Sequence, residues 1–180
     1  MLKFLSINLI FFIFFLTPIL ADVQGIISKV IDADTVIIES DGGSKYRVRL
    51  LGIDAPEIKQ EHGKEATKYL SNMVLGKNLT VIGSNKDKYQ RLLGKLILDE
   101  NDINLNLIKN GMAWHYKFYK SSQDKKDQIM YSNAEIYAKV NKLGLWSKNL
   151  PIAPWEWRKN KKWTIQSLHR SYKYEKNIIL

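Results

Sequence analysis

Five short runs of β-forming residues, with one helical segment between the third and the fourth, most constrain how this chain of 180 residues folds. Each run is rich in Val, Ile or Leu and ends at turn-forming or polar residues, as β-strands do. We predict strands over Val23–Ile31, Thr35–Glu39, Lys45–Gly52, Asn78–Ser84 and Leu92–Asp99, the second and third joined by a hairpin turn. Because closure removes exposed strand edges, the pattern predicts a mainly β, α+β protein built on a five-stranded OB-type barrel.

About three helices should accompany the barrel. Gly63–Leu75 carries an apolar stripe and ends before Gly76, and Ile103–Asn110 ends before Gly111. A longer helix should reach about Leu143, capped by Ser121 or Ser122. Its predicted inward residues are Ile129, Met130, Ala134, Tyr137 and Ala138.

The N-terminus has the pattern of a secretory signal peptide. A lysine precedes a short apolar run, and a small residue, Ala21, precedes a polar one. We therefore predict a signal peptide over residues 1–21, cleaved after Ala21, and a secreted or periplasmic protein. The alternative is an uncleaved N-terminal anchor, which is the one case that predicts membrane attachment. The barrel domain should occupy residues 22–150 and a basic C-terminal arm residues 151–180.

The composition excludes some chemistries and indicates a class of partner. The chain has no Cys, so disulfides, a thiol nucleophile and a Cys-ligated zinc site are excluded. Its 28 Lys and Arg residues outnumber 18 Asp and Glu residues. A basic chain with Tyr and Trp among its cations is typical of nucleic-acid binding, because bases stack on aromatic rings. A solvated basic surface would have the same charge.

Two acidic segments carry the candidate chemistry. Asp32 and Asp34 lie at a junction between strands, and Asp54 and Glu57 lie in a loop that follows the strand carrying Arg49. Clustered carboxylates repel one another unless a positive group lies between them. Oxygen ligands of this kind suit Ca²⁺ or Mg²⁺, and a nearby arginine fork suits a phosphate. Each segment alone is usually an ordinary turn, so the joint pattern carries the prediction.

Six segments, in order, resemble the thermonuclease family, also known as the staphylococcal-nuclease-like domain. They are DADTV, RVRLLGIDAPE, GKEA, DKYQR, GMAWHYKFY and LGLW, and they span about residues 23–146. The resemblance implies an OB-type barrel, a Ca²⁺ cofactor and a monomer that hydrolyses DNA and RNA, with single strands favoured. By analogy it also implies little sequence specificity and 3′-phosphate products.

The resemblance also implies roles for individual residues. Asp34, Asp54 and the backbone carbonyl of Ala55 correspond to the Ca²⁺ ligands, and Asp32 to a carboxylate that holds water on the metal. Glu57 corresponds to the general base, and Arg49 and Arg91 to the arginines that grip the phosphate. The corresponding substrate-binding positions are Lys88, Tyr89, Tyr119 and Lys117, of which Lys117 stands where the family has a tyrosine.

A non-catalytic OB-type nucleic-acid-binding module is the alternative function. Nuclease-like barrels of that kind have lost their carboxylates, whereas this chain retains Asp34, Arg49, Asp54, Glu57 and Arg91. The residues therefore favour the enzyme.

Overall fold

A computed structural model describes residues 22–83, 85–148 and 150–160. The predicted signal peptide, and residues 161–180 of the predicted arm, lie outside the described residues. Eight strands are formed in the described part of the chain. They are β1 (Val23–Asp32), β2 (Thr35–Ser40), β3 (Lys45–Leu50), β4 (Ile53–Asp54), β5 (Asn78–Ile82), β6 (Leu92–Leu98), β7 (Asn101–Asp102) and β8 (Trp114–His115).

The main sheet closes into a barrel. Its strands follow the order β3-β2-β1-β5-β6, and all neighbours in this order are antiparallel. A parallel pairing of β3 with β6 joins the two ends, with Val48 opposite Leu92 and Leu50 opposite Gly94. The predicted five-stranded OB-type barrel is therefore confirmed, and the inward side chains of these strands form the core.

Four α-helices surround the barrel within the described residues. They are α1 (Gly63–Val74), α2 (Ile103–Lys109), α3 (Lys125–Val140) and α4 (154–160). Helix α1 buries Ala66, Leu70 and Val74, at the four-residue spacing that places side chains on one helix face. Two 3₁₀ helices, Lys117–Ser122 and Gly144–Ser147, flank α3.

Helix α3 differs from its prediction in its start and in its buried face. Its N-cap is Asp124, whose side chain accepts from the Lys126 N–H, because the predicted capping serines belong to the preceding 3₁₀ helix. Ala134 and Ala138 are buried as predicted, but Ile129 and Tyr137 are exposed. Glu135 is buried instead. Its carboxylate accepts from the His115 N–H and from Lys117, which compensates for its desolvation.

The first part of the C-terminal arm packs on the barrel domain. Helix α4 begins at Pro154, whose missing N–H costs nothing in the first helical turn. The Trp155 ring lies 6.3 Å from the Trp114 ring and 5.6 Å from the Tyr116 ring. The Gln60 side chain donates to the Ile152 carbonyl at 2.6 Å. Among the described residues, no helix is long and apolar enough to cross a membrane.

Candidate active site

The two acidic segments meet at one rim of the barrel. The turn between β1 and β2 carries Asp34, whose backbone N–H donates to Asp32 Oδ1 at 3.1 Å. The Thr35 hydroxyl donates to Asp34 Oδ1 at 3.1 Å, and the Ala55 N–H donates to Asp34 Oδ2 at 2.9 Å. This last bond spans 21 residues and ties the turn to the loop that follows β4.

Arg49 lies between the two buried aspartates. Its Nη2 atom is 3.0 Å from Asp34 Oδ2 and 3.1 Å from Asp54 Oδ1. Its Nη1 atom donates to the carbonyls of Leu50 and Ile53 at 2.8 and 3.0 Å. A guanidinium is planar and always charged, so it holds both carboxylates and the backbone of the loop in one fixed arrangement.

Burial makes the acidic residues costly to ionise. Desolvation and the neighbouring Asp34 charge raise the pKa of Asp32 to about 6. Desolvation also raises the pKa of Asp54, although the hydrogen bond from Arg158 and the charges of Arg49 and Arg158 act in the opposite direction. A cation bound near these carboxylates would therefore stabilise their ionised forms.

Glu57 is held by a tight loop ahead of α1. Its N–H donates to Gln60 Oε1 at 3.2 Å, and its carbonyl accepts from the Gln60 N–H at 2.7 Å. A side chain at Gly63 would collide with the Glu57 carbonyl, so only glycine lets the start of α1 approach so closely. The glutamate side chain remains partly exposed, facing the same cleft as the aspartates.

Arg91 lines the same cleft, on the segment between β5 and β6. Its Nε and Nη2 atoms both lie 2.7 Å from Asp87 Oδ2. The backbone N–H groups of Tyr89 and Arg91 also donate to Asp87 Oδ1. Burial would raise the pKa of Asp87, but these hydrogen bonds outweigh it and lower the pKa. Asp87 therefore orients Arg91. Sequence analysis did not assign Asp87 this role, although its position four residues before Arg91 in DKYQR could have indicated it.

Most of the predicted site residues line one cleft of about 690 Å³. They are Asp32, Asp34, Arg49, Asp54, Ala55, Glu57, Lys88, Tyr89 and Arg91. Lys88 and the Arg91 guanidinium lie 5.1 and 5.5 Å from the centre of the Tyr89 ring. The exposed tyrosine therefore stands among cations, as in sites where a base stacks and its phosphates are paired.

Lys117 and Tyr119 are not brought into this cleft by the described contacts. Lys117 donates to Glu135 Oε2 at 2.9 Å and lines a second pocket beside His115. Tyr119 belongs to the 3₁₀ helix Lys117–Ser122, and its side chain lies outside the described residues. Tyr116 lines the active-site cleft instead. The substrate-binding roles of Lys117 and Tyr119 stay predictions.

Sequence analysis missed Arg158, which enters the cleft from α4. Its Nη2 donates to Asp54 Oδ2 at 2.7 Å, and its Nη1 donates to Glu57 Oε1 at 2.9 Å. Burial lowers the pKa of Arg158, but its hydrogen bonds to Asp54 and Glu57 raise it by more, so the side chain stays charged. In the sequence Arg158 is the last residue of PIAPWEWR, which resembles the ending of many bacterial family members, and the first cation of a basic run. No local spacing links it to residues a hundred positions earlier.

The donors at this rim suit a hard cation. Asp34 and Asp54 supply buried carboxylate oxygens, and Ala55 supplies a carbonyl in the same loop. Within residues 22–83, 85–148 and 150–160, no group of three or more His, Cys, Asp or Glu side chains could hold a metal ion. Carboxylate and carbonyl oxygens are ligands that hard cations such as Ca²⁺ and Mg²⁺ take together with waters.

Fold and site together define a class of protein, the phosphodiester hydrolases built on an OB-type barrel. Their rim carries the carboxylates and arginines that such a reaction uses. Comparison with known proteins narrows the class. Residues 47–148 match the family described as staphylococcal nuclease homologue. The chain belongs to this family.

Three relatives show how the similarity is distributed. An uncharacterized endonuclease of Haemophilus influenzae is 39% identical over 134 residues, covering 74% of this chain and 72% of that protein. An uncharacterized endonuclease of Escherichia coli O157:H7 is 35% identical over 156 residues, covering 86% of this chain and 97% of that protein. The staphylococcal-like nuclease CAN1 of Arabidopsis thaliana is 41% identical over 118 residues, or 66% of this chain, and this match covers only 35% of the plant protein.

Proposed function

We propose that this protein is a Ca²⁺-dependent nuclease that cleaves DNA and RNA with little sequence specificity and leaves 3′-phosphate ends. The observation that carries the proposal is the placement of Asp34, Asp54, Glu57, Arg49 and Arg91 around one cleft. The two aspartates and the Ala55 carbonyl would hold the Ca²⁺ ion, with Asp32 holding its water.

Different side chains of the cleft are suited to different parts of the hydrolysis reaction. The Glu57 carboxylate accepts a proton from water as the water oxygen attacks phosphorus. Cleavage of the bond to the 5′ oxygen then leaves a 3′-phosphate and a 5′-hydroxyl, whose proton comes from solvent. Arg49 and Arg91 donate to the equatorial oxygens, where negative charge accumulates in the transition state. Bound Ca²⁺ would supply further neutralisation of that charge.

Lack of sequence specificity follows from the kind of contacts that the cleft offers. Arg49, Arg91 and Lys88 are suited to phosphates, which are the same in every nucleotide. Tyr89 offers an exposed ring face on which any base can stack. Stacking requires an unpaired base, so single strands should be preferred. We propose that the protein acts as a monomer, after export through its N-terminal leader and cleavage after Ala21.

A direct test compares cleavage and binding. Purified protein is incubated with plasmid DNA and with RNA in Ca²⁺, in Mg²⁺ and in excess EGTA. We expect cleavage in Ca²⁺ and little in Mg²⁺, which requires tighter octahedral geometry. EGTA should abolish cleavage but not folding, because the barrel core does not include the rim carboxylates. End-labelling should detect 3′-phosphates.

Two results would overturn the proposal. Full cleavage in EGTA would refute the metal assignment. Binding of nucleic acid without cleavage in Ca²⁺ would favour the non-catalytic OB module. For the cellular location, the N-terminal sequence of protein recovered outside the cytoplasm should begin at Asp22, and retention of residues 1–21 would support the anchored alternative.

A further inference from the structure

Arg158 occupies the side of Asp54 that faces the cleft. Its guanidinium contacts both Asp54 oxygens, with Nη2 at 2.7 Å from Oδ2 and Nη1 at 3.3 Å from Oδ1. The Asp54 side chain is only 2% exposed, whereas that of Arg158 is 43% exposed. The more exposed arginine therefore contacts the buried carboxylate through both of its oxygens.

The same guanidinium also neutralises Glu57, through the 2.9 Å bond from Nη1 to Oε1. One cation thus joins the proposed metal ligand Asp54 to the proposed general base. In this arrangement Glu57 Oε1 accepts a hydrogen bond from Arg158, so a lone pair of this oxygen is not available to a water molecule.

The helix that carries Arg158 is fixed to the domain independently of these ion pairs. Trp155 packs on Trp114 and Tyr116, and Gln60 holds the carbonyl of Ile152. The α4 backbone can therefore stay docked when the long arginine side chain leaves Asp54. The guanidinium is kept near the cleft in either position.

A divalent cation at Asp54 would compete with the Arg158 guanidinium for the same two carboxylate oxygens. Like charges at contact distance also repel in a partly buried site. Ion entry would therefore weaken or displace the contacts of Arg158 with Asp54. The free energy of those contacts is subtracted from the free energy of metal binding.

We propose that Arg158 is a further residue of the active site, an internal cation that holds Asp54 and Glu57 in the metal-free protein and lowers the affinity for Ca²⁺ by competing with it. The inference rests on the proposed function, since it takes Asp54 as a metal ligand. It concerns a residue of α4, which lies beyond the segment matched by the family.

The test is calorimetric titration of Ca²⁺ into the metal-free full chain and two variants. We expect R158Q to bind Ca²⁺ about tenfold more tightly, as removal of a partly exposed ion pair to a buried carboxylate implies. The matched control is K159Q, which removes the same charge one residue further on. Lys159 pairs with Glu156 within α4 and should leave Ca²⁺ affinity within about twofold of the unaltered protein.

The direction of the change separates competition from other roles. Unchanged or weaker binding by R158Q would overturn the inference, and weaker binding would show that Arg158 positions Asp54 for the metal. An equal gain in R158Q and K159Q would also overturn it, because general surface charge would then suffice. R158K retains the charge but not the fork, and an affinity between those of R158Q and the unaltered protein supports the inference. If the unaltered protein and all variants fail to bind Ca²⁺, the proposed cofactor itself is wrong.

Discussion

Arg49→Lys preserves a positive charge at the centre of the cleft but removes the fork that the surrounding groups require. Arg49 makes three hydrogen bonds, to the Leu50 carbonyl, the Ile53 carbonyl and Asp54, and an ion pair with Asp34. A lysine ammonium is a single compact donor group, so it can remain between the carboxylates only by abandoning the two carbonyls.

The expected loss of stability follows from those two carbonyl groups. A buried acceptor without a donor costs about 1–3 kcal/mol, and water can reach this partly buried site, so we expect the lower end for each. The free energy of unfolding should therefore fall by about 2 kcal/mol, a large part of the roughly 5–15 kcal/mol typical of a folded domain. Turnover should fall by about 10²–10³, because the arginine fork is lost at the phosphate.

Two assays with one control variant test this reasoning. Urea unfolding in EGTA measures stability without metal, and cleavage of a labelled oligonucleotide in Ca²⁺ measures kcat and KM separately. Arg47→Lys changes an exposed arginine two residues earlier on β3 and should alter stability by less than about 0.5 kcal/mol. An Arg49→Lys variant with unaltered stability and turnover would refute the role assigned to the Arg49 fork in both the fold and the reaction.

Three further predictions concern other parts of the molecule. Glu57→Gln should lower kcat by about 10²–10⁴-fold, with little change in the Ca²⁺ affinity measured by calorimetry. Glu61→Gln, at an exposed neighbouring position, is the control. A large loss of Ca²⁺ affinity in Glu57→Gln would instead make Glu57 a metal ligand. Burial lowers the pKa of His115 from its usual 6.5, so the unfolded chain binds more protons and urea-measured stability should fall as pH drops below that value. His115→Gln should flatten this slope, and an unchanged slope would assign it to other groups. Trp155→Ala should lower stability by about 1–3 kcal/mol, because its ring packs between Trp114 and Tyr116; an unaltered melting curve would show that α4 adds no stability.

Local sequence patterns were sufficient for the barrel and for the two acidic segments with Arg49, whereas the roles of Arg91, Lys88 and Tyr89 rested on the family resemblance. Each strand ends at a local turn signal, and closure into a barrel removes the exposed strand edges of a small sheet. Patterns within single segments were therefore enough to predict the barrel. Asp34 lies in the turn between β1 and β2, Arg49 lies on β3, and Asp54 lies in the short strand β4 that follows β3. Because β2 pairs with β3, the pairing of neighbouring strands brings the Asp34 turn close to Arg49.

The buried face of α3 could not be read from periodicity. Glu135 would be placed outside by any hydropathy pattern, yet it is buried because the His115 N–H and two lysines satisfy its carboxylate. Those partners come from β8, the following 3₁₀ helix and α3 itself. Ile129 and Tyr137 are exposed, so the buried face of α3 differs from the predicted one.

Arg158 marks the division between what the sequence by itself determined and what only the tertiary structure decided. The sequence determined the strands, the acidic turns and Arg49, because these lie close together along the chain and follow local rules. The contact of Arg158 with Asp54 spans 104 residues and depends on the docking of α4 through Trp155. Only the packed structure brings this cation to the carboxylates, because an ion pair formed across such a separation leaves no spacing rule in the sequence.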